Sequence, residues 1–168
     1  MSELNPYAKF LDGRPLDAIL GESAGAIASL LKAIGPANAS TPPAPGKWSA
    51  AEIVSHLADC EIAFGFRLRQ TLAEDDHVVQ PFDQDRWAAA SGYSTIGAAQ
   101  ALETFGAVRN WNLHLIRHAL PAAAHRKVTH PERGAMTFQT IVETMAGHDL
   151  NHLGQLARIA AKPLPATA

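Results

Sequence analysis

The sequence predicts an all-α protein, a four-helix bundle with a long connection between its second and third helices. Four segments, each about sixteen to twenty-six residues long, repeat apolar side chains at three- and four-residue steps. Runs rich in proline and glycine separate them, and the segments carry the start and stop signals a helix needs. No stretch alternates apolar and polar residues as a half-buried strand does, and no internal repeat is present.

The first helix opens at Asp12-Gly13-Arg14-Pro15, where proline is tolerated because its missing N–H has no partner in the first turn. Leu16, Ile19, Leu20, Ile27, Leu30, Leu31 and Ile34 form its apolar stripe, and Gly35-Pro36 closes it. Gly21 and Gly25 lower its helix propensity, and close packing against a neighbour would compensate. Four prolines between Gly35 and Lys47 then forbid continuation. The second helix is expected from about Ser49 to about Ala73. Ser49 and Glu52 have capping-box spacing, with Trp48 placed to staple against Ile53. Ile53, Leu57, Cys60, Phe64 and Leu68 are its buried stripe, and His56 lies on the flank.

Between Glu74 and Ser94 the chain is acidic and irregular, and a connection of this length either covers a pocket, crosses the bundle or makes a surface excursion anchored by Phe82, Trp87 and Tyr93. Up-down-up-down order therefore does not follow from the sequence. The third helix is expected from about Thr95 to about Leu120, before Pro121. Residues 122–135 read as another loop. Thr137 caps the fourth helix, which carries Phe138, Ile141, Val142, Met145, Leu153, Leu156 and Ile159 and ends near Ala161 before Pro163.

A length of 168 residues fits a single domain over 1–168 with short flexible ends. With 47% hydrophobic residues, 18% charged residues and a net charge of -2, the chain is globular and offers no basic field for nucleic acid. No apolar run is long enough to span a membrane, and no signal peptide is visible. The single cysteine, Cys60, suits a reducing, cytoplasmic setting.

Eight histidines supply two His-x-x-x-His pairs, so the motif alone decides nothing. Facing separates them. His114 falls well over about 90° from the apolar centre of the third helix and His118 is only somewhat closer, whereas His152 lies within about 30° and His148 within about 70° of the centre of the fourth. Two imidazoles facing a core need partners, either a carbonyl or carboxylate each or one shared cation. If the second and fourth helices are neighbours, His56 completes an open three-nitrogen site of the kind catalytic zinc uses.

The run Lys47-Trp48-Ser49 to Glu61 with His56, the segment Pro81-Phe82-Asp83 to Trp87, and Arg133-Gly134 to Gln155 together resemble the DinB family of bacterial metal-binding bundles, in its YfiT-like branch. The resemblance covers Trp48 to Arg158. It implies a four-helix bundle, a homodimer, and a divalent metal held by His56, His148 and His152. Zinc or nickel is the expected ion, with manganese or iron as alternatives. Some members of that family are thiol-dependent transferases or isomerases, so a low-molecular-weight thiol cofactor and a small-molecule substrate are implied as well. Others have no known activity, and a non-catalytic, stress-associated metal-binding bundle is the alternative function.

Asp59 and Asp149 are candidates to orient ligand imidazoles through the second ring nitrogen, or else are solvated helix charges. Cys60 is one turn from His56 and reads as a small apolar core residue, with fourth-ligand duty as the alternative. Glu52 is explained by its cap. His77, His125 and His130 fall in expected loops and read as surface histidines; Trp87 and Tyr93 read as rim, dimer-face or core aromatics.

Overall fold

The computed structural model describes residues 4–161, and over them five α-helices and one hairpin follow in order. They are α1 (Leu16–Ile34), α2 (Ala50–Ala73), the short α3 (Gln84–Ala90), α4 (Ala98–Ala119), the strands β1 (Lys127–His130) and β2 (Gly134–Thr137), and α5 (Phe138–Ala160). The four long helices are those the apolar periodicity marks. Residues 1–3 and 162–168, including the expected stop at Pro163, lie outside the described residues.

Local signals set the helix ends. Ser49 Oγ accepts from the Glu52 amide at 3.2 Å while the Ser49 amide donates to Glu52 Oε2 at 2.7 Å, closing the capping box. Thr137 Oγ1 accepts from the Thr140 amide at 3.2 Å. Of the two glycines in α1, Gly21 does face a neighbour, with Leu113 and Arg117 at contact distance, whereas Gly25 faces open space.

Each of α1 and α2 packs on both α4 and α5, so α1 and α2 sit at opposite corners of the bundle. Two apolar clusters fix the directions. One joins Ile19 and Leu20 at the start of α1, Leu68 near the end of α2, Ile116 near the end of α4 and Ile141 at the start of α5. The other joins Ile34, Ile53, Ala101 and Ile159, from the opposite end of each helix. Thus α1 and α5 run one way and α2 and α4 the other. Residues 74–97 must then travel back along the bundle, about 33 Å for a helix the length of α4, which is why this connection is long.

That connection is more ordered than its composition suggests. Asp83 Oδ1 caps α3 by accepting from the amides of Asp85 and Arg86, and Phe82 stacks on Trp87 with ring centroids 4.4 Å apart. Tyr93 is buried and donates its hydroxyl to Asp59 Oδ2 at 2.6 Å. The expected loop at 122–135 is corrected: it holds the antiparallel pair β1 and β2, with Val128 opposite Met136. Four-residue strands turning at Gly134, where φ is 87°, are too short to print an alternating pattern in the sequence. The amides of Val79 and Thr129 bond across to Thr129 and His77 carbonyls, each at 2.9 Å, tying the crossover to β1. His130 is consequently buried, not a surface histidine; His125 is exposed as expected.

Among the described residues ahead of α1, the segment 7–10 is also folded. The turn at Ala8–Phe10 packs on α5 at Gly147, where a Cβ would stand 2.5 Å from the Tyr7 carbonyl oxygen. Only glycine admits this approach. No described helix is long and apolar enough to cross a membrane.

Candidate metal centre

Because α2 and α5 pack together, residues 92 positions apart in sequence meet in the core. His56 Nε2 lies 3.1 Å from His148 Nε2, and His148 Nε2 lies 3.1 Å from His152 Nε2. All three rings are buried. His114 and His118 are exposed on α4, as the facing argument requires.

His152 Nδ1 is 2.9 Å from Gln155 Oε1, an acceptor, so Nδ1 carries the proton and the neutral ring presents a lone pair at Nε2. His148 Nε2 can donate its one proton to that lone pair, and the Cys60 thiol, 3.5 Å from His56 Nε2, can donate to that atom when no ion is bound. A cation accepts all three lone pairs at once. Donors about 2.1 Å from a tetrahedral ion stand about 3.4 Å apart, close to both separations observed. Both separations are therefore of the size that neighbouring donors on a divalent ion would have.

Burial lowers the proton affinity of every ring. His56 is pushed down to about 3, by burial first and the neighbouring His152 second. His148 falls well below the usual histidine range through burial and then through His152, His56 and Arg109. His152 is lowered by burial, with Gln155 and Asp149 acting in the opposite sense. The unfolded chain takes up these protons near pH 6.5, while folded His56 resists down to about 3. Stability from these rings is thus complete above pH 6.5 and is lost as the pH falls from there toward 3. Unfolding midpoints measured between about pH 7.5 and about pH 5 should fall with pH, and His56→Gln should flatten the slope. An equal slope in that variant contradicts the assignment.

Cys60 belongs to the apolar core, as its pattern suggests, and also faces the histidines. Its Sγ lies 3.5 Å from His56 Nε2 and 3.9 Å from His148 Nε2. The donor atoms of His56, Cys60 and His148 all fall within 4.8 Å of one another, and His152 joins them through His148. Burial pushes the thiol well above its ordinary range, reinforced by Glu61, so the free protein keeps it protonated.

The carboxylate expectations need correction. Asp59 is held by the Tyr93 hydroxyl, and Asp149 points both oxygens at Arg109, 2.6 Å from Nη1 and 3.0 Å from Nη2. Neither hydrogen-bonds an imidazole. That role falls to Gln155, one turn beyond His152, a spacing visible in the sequence. Arg109 was also missed. It is buried on α4, bonds Glu61 Oε1 of α2 at 2.7 Å and the Leu20 carbonyl of α1 at 2.9 Å, and so links all four helices beside the histidines. Burial opposes its charge, but Asp149 and Glu61 more than offset this and raise its proton affinity. Two aromatics complete the surround: Tyr7 meets His148 edge-on at 5.0 Å and Trp48 lies 5.0 Å from His56.

A cleft of about 530 Å³ opens over His152, walled by Tyr7, Trp48, Gln155, Lys47, Asp85 and Arg158 among others. Trp87 and Tyr93 do not line it.

Nitrogen and sulfur donors converging in the core of a helical bundle, under an open cleft, define a bundle protein with a candidate metal centre. The chain belongs to the DinB superfamily, whose family model matches residues 20–156. A protein of Oceanobacillus iheyensis, provisionally named a metal-dependent hydrolase, is 25% identical over 117 residues, covering 70% of this chain and 67% of the relative. One of Geobacillus kaustophilus with the same provisional name is 27% identical over 121 residues, covering 71% and 67%. The solved structure of Bacillus subtilis YfiT, described provisionally as a metal-dependent hydrolase with an unusual four-helix bundle topology, superposes with a TM-score of 0.75. It is 20% identical and covers 85% of this chain and 84% of that one.

Proposed function

We propose that the protein is a metal-dependent hydrolase of small electrophilic substrates, with His56, His148 and His152 as the ligands. The observation that carries this reading is the convergence of the three ring nitrogens beneath a cleft that reaches His152. The provisional names of the relatives support it. A divalent ion bound there, zinc or nickel first and manganese or iron second, supplies Lewis acidity and brings water toward a pKa of about 7. The chain's own residues do the rest. Gln155 holds His152 in the tautomer that offers Nε2, while Trp48 and Tyr7 shield the rings from bulk water. A low-molecular-weight thiol would enter through the same cleft if the reaction is thiol transfer.

Protein stripped by a chelator and reloaded with each metal should recover hydrolysis of p-nitrophenyl esters, or displacement of chloride from 1-chloro-2,4-dinitrobenzene by a thiol, only when loaded. Identical rates with and without metal would sink the catalytic reading. The position of Cys60 favours a second reading, in which its sulfur closes the coordination sphere and the ion is structural. Cobalt substitution separates the two, since a thiolate charge-transfer band lost in Cys60→Ser marks the closed site. A homodimer is proposed through the exposed apolar residues Ile62 and Phe66 of α2 and Trp111 of α4. Sedimentation of the wild type against Phe66→Glu tests it. The reducing cytoplasm is the proposed setting.

A further inference from the structure

The cleft over His152 carries charges that metal chemistry does not use. Lys47, just before Trp48, and Arg158, in the last turn of α5, stand against a single acid, Asp85 of α3. Among the described residues none of the three side chains forms an ion pair. A cation at a helix C-terminus already interacts well with the helix dipole, and that explains an arginine at this position but not a second cation, Lys47, on the same cleft wall. The Arg158 guanidinium folds back over Gly154, with Nη1 3.6 Å from the place a Cβ would occupy there. Arg158 is exposed and shares a stripe of α5 with Asn151 and Gln155, and all three line the cleft together with His152.

The geometry points to a carboxylate-recognition subsite: Arg158, assisted by Lys47, takes the carboxylate of a small organic acid whose apolar body lies against Trp48 and Tyr7. A guanidinium suits this task because its planar fork matches a carboxylate with two parallel N–H···O bonds. Two cations facing one acid leave the wall with a surplus positive charge that such a ligand neutralises. The subsite names the substrate class for the site proposed above, and it rests on that reading only for the end of the molecule that meets His152.

Calorimetric titration of the full chain as purified, with benzoate and with its neutral isostere benzamide, tests the subsite directly. Benzoate is expected to bind about tenfold more tightly than benzamide, the scale of one charge-assisted pair. Arg158→Gln should remove that preference, Arg158→Lys should keep part of it, and Lys47→Gln should weaken it by a smaller factor. Equal binding of the two probes, no measurable binding of benzoate, or a preference that survives the Arg158→Gln and Lys47→Gln double variant overturns the subsite; the last result would place the anion on the metal. Because binding is read without turnover, a preference that persists in a protein with no hydrolytic activity sustains the subsite while the hydrolase reading falls. Metal-dependent turnover without the preference does the reverse.

Discussion

Alanine in place of His148 is expected to reduce metal content from stoichiometric to background. His148 is the hinge of the donor set, since its Nε2 is 3.1 Å from both His56 Nε2 and His152 Nε2. Removing it leaves two imidazoles and a protonated, buried thiol as the remaining donors. Loss of an orienting partner alone typically weakens a metal about 10- to 100-fold, so loss of the central ligand should exceed that range. The readouts are elemental analysis and competition titration against a chromophoric chelator, with circular dichroism to confirm the helices. His114→Ala serves as the control, because that residue is exposed on α4 in a pair with the same spacing. If wild type binds zinc, nickel, manganese and iron no better than His148→Ala, the metal centre is wrongly assigned.

The contrast between those two pairs shows what a sequence can resolve. Helical periodicity alone turns His148 and His152 inward and His114 and His118 outward, because facing is a local property. The meeting of His56 with His148 is not local, and periodicity could make it only conditional on α2 and α5 being neighbours. Family resemblance supplied that condition. The up-down-down-up order does not follow from periodicity for the same reason, although the length of the 74–97 connection is consistent with a crossover. Asp149 reads as an imidazole partner or a solvated charge because its neighbour in sequence is a histidine, while its neighbour in space is Arg109. Gly147 gave no signal, as the Tyr7 carbonyl that forbids a Cβ there arrives from 140 residues earlier in the chain. Arg109 itself was legible: it follows Phe105 by one turn on a stripe that otherwise buries apolar residues, and a cation in such a place demands buried anions.

Substituting Arg109 by leucine should therefore destabilise the fold by about 3–5 kcal/mol, the cost of breaking a buried ion pair from one side. The guanidinium gives Asp149 two bonds, at 2.6 and 3.0 Å, Glu61 one at 2.7 Å and the Leu20 carbonyl one at 2.9 Å. Leucine removes all four and leaves two carboxylates buried side by side with no cation between them. Asn112 cannot compensate, since its Nδ2 already serves the Glu61 carbonyl at 2.8 Å and Glu61 Oε2 at 3.0 Å. Most of the loss should be the stranded charge and not the missing arginine. A triple variant combining Arg109→Leu with Glu61→Gln and Asp149→Asn is accordingly expected to regain a large part of it. Urea unfolding of the wild type, the single variant and the triple variant measures both differences. A single-variant loss under about 1 kcal/mol would mean that water reaches these carboxylates and that the network is not a buried one. Asp149 directly follows His148 on α5, so the single variant should also loosen the turn that carries the central ligand. Its metal affinity should drop by about 10- to 100-fold, the range of an outer-shell partner, under conditions where the helices remain folded.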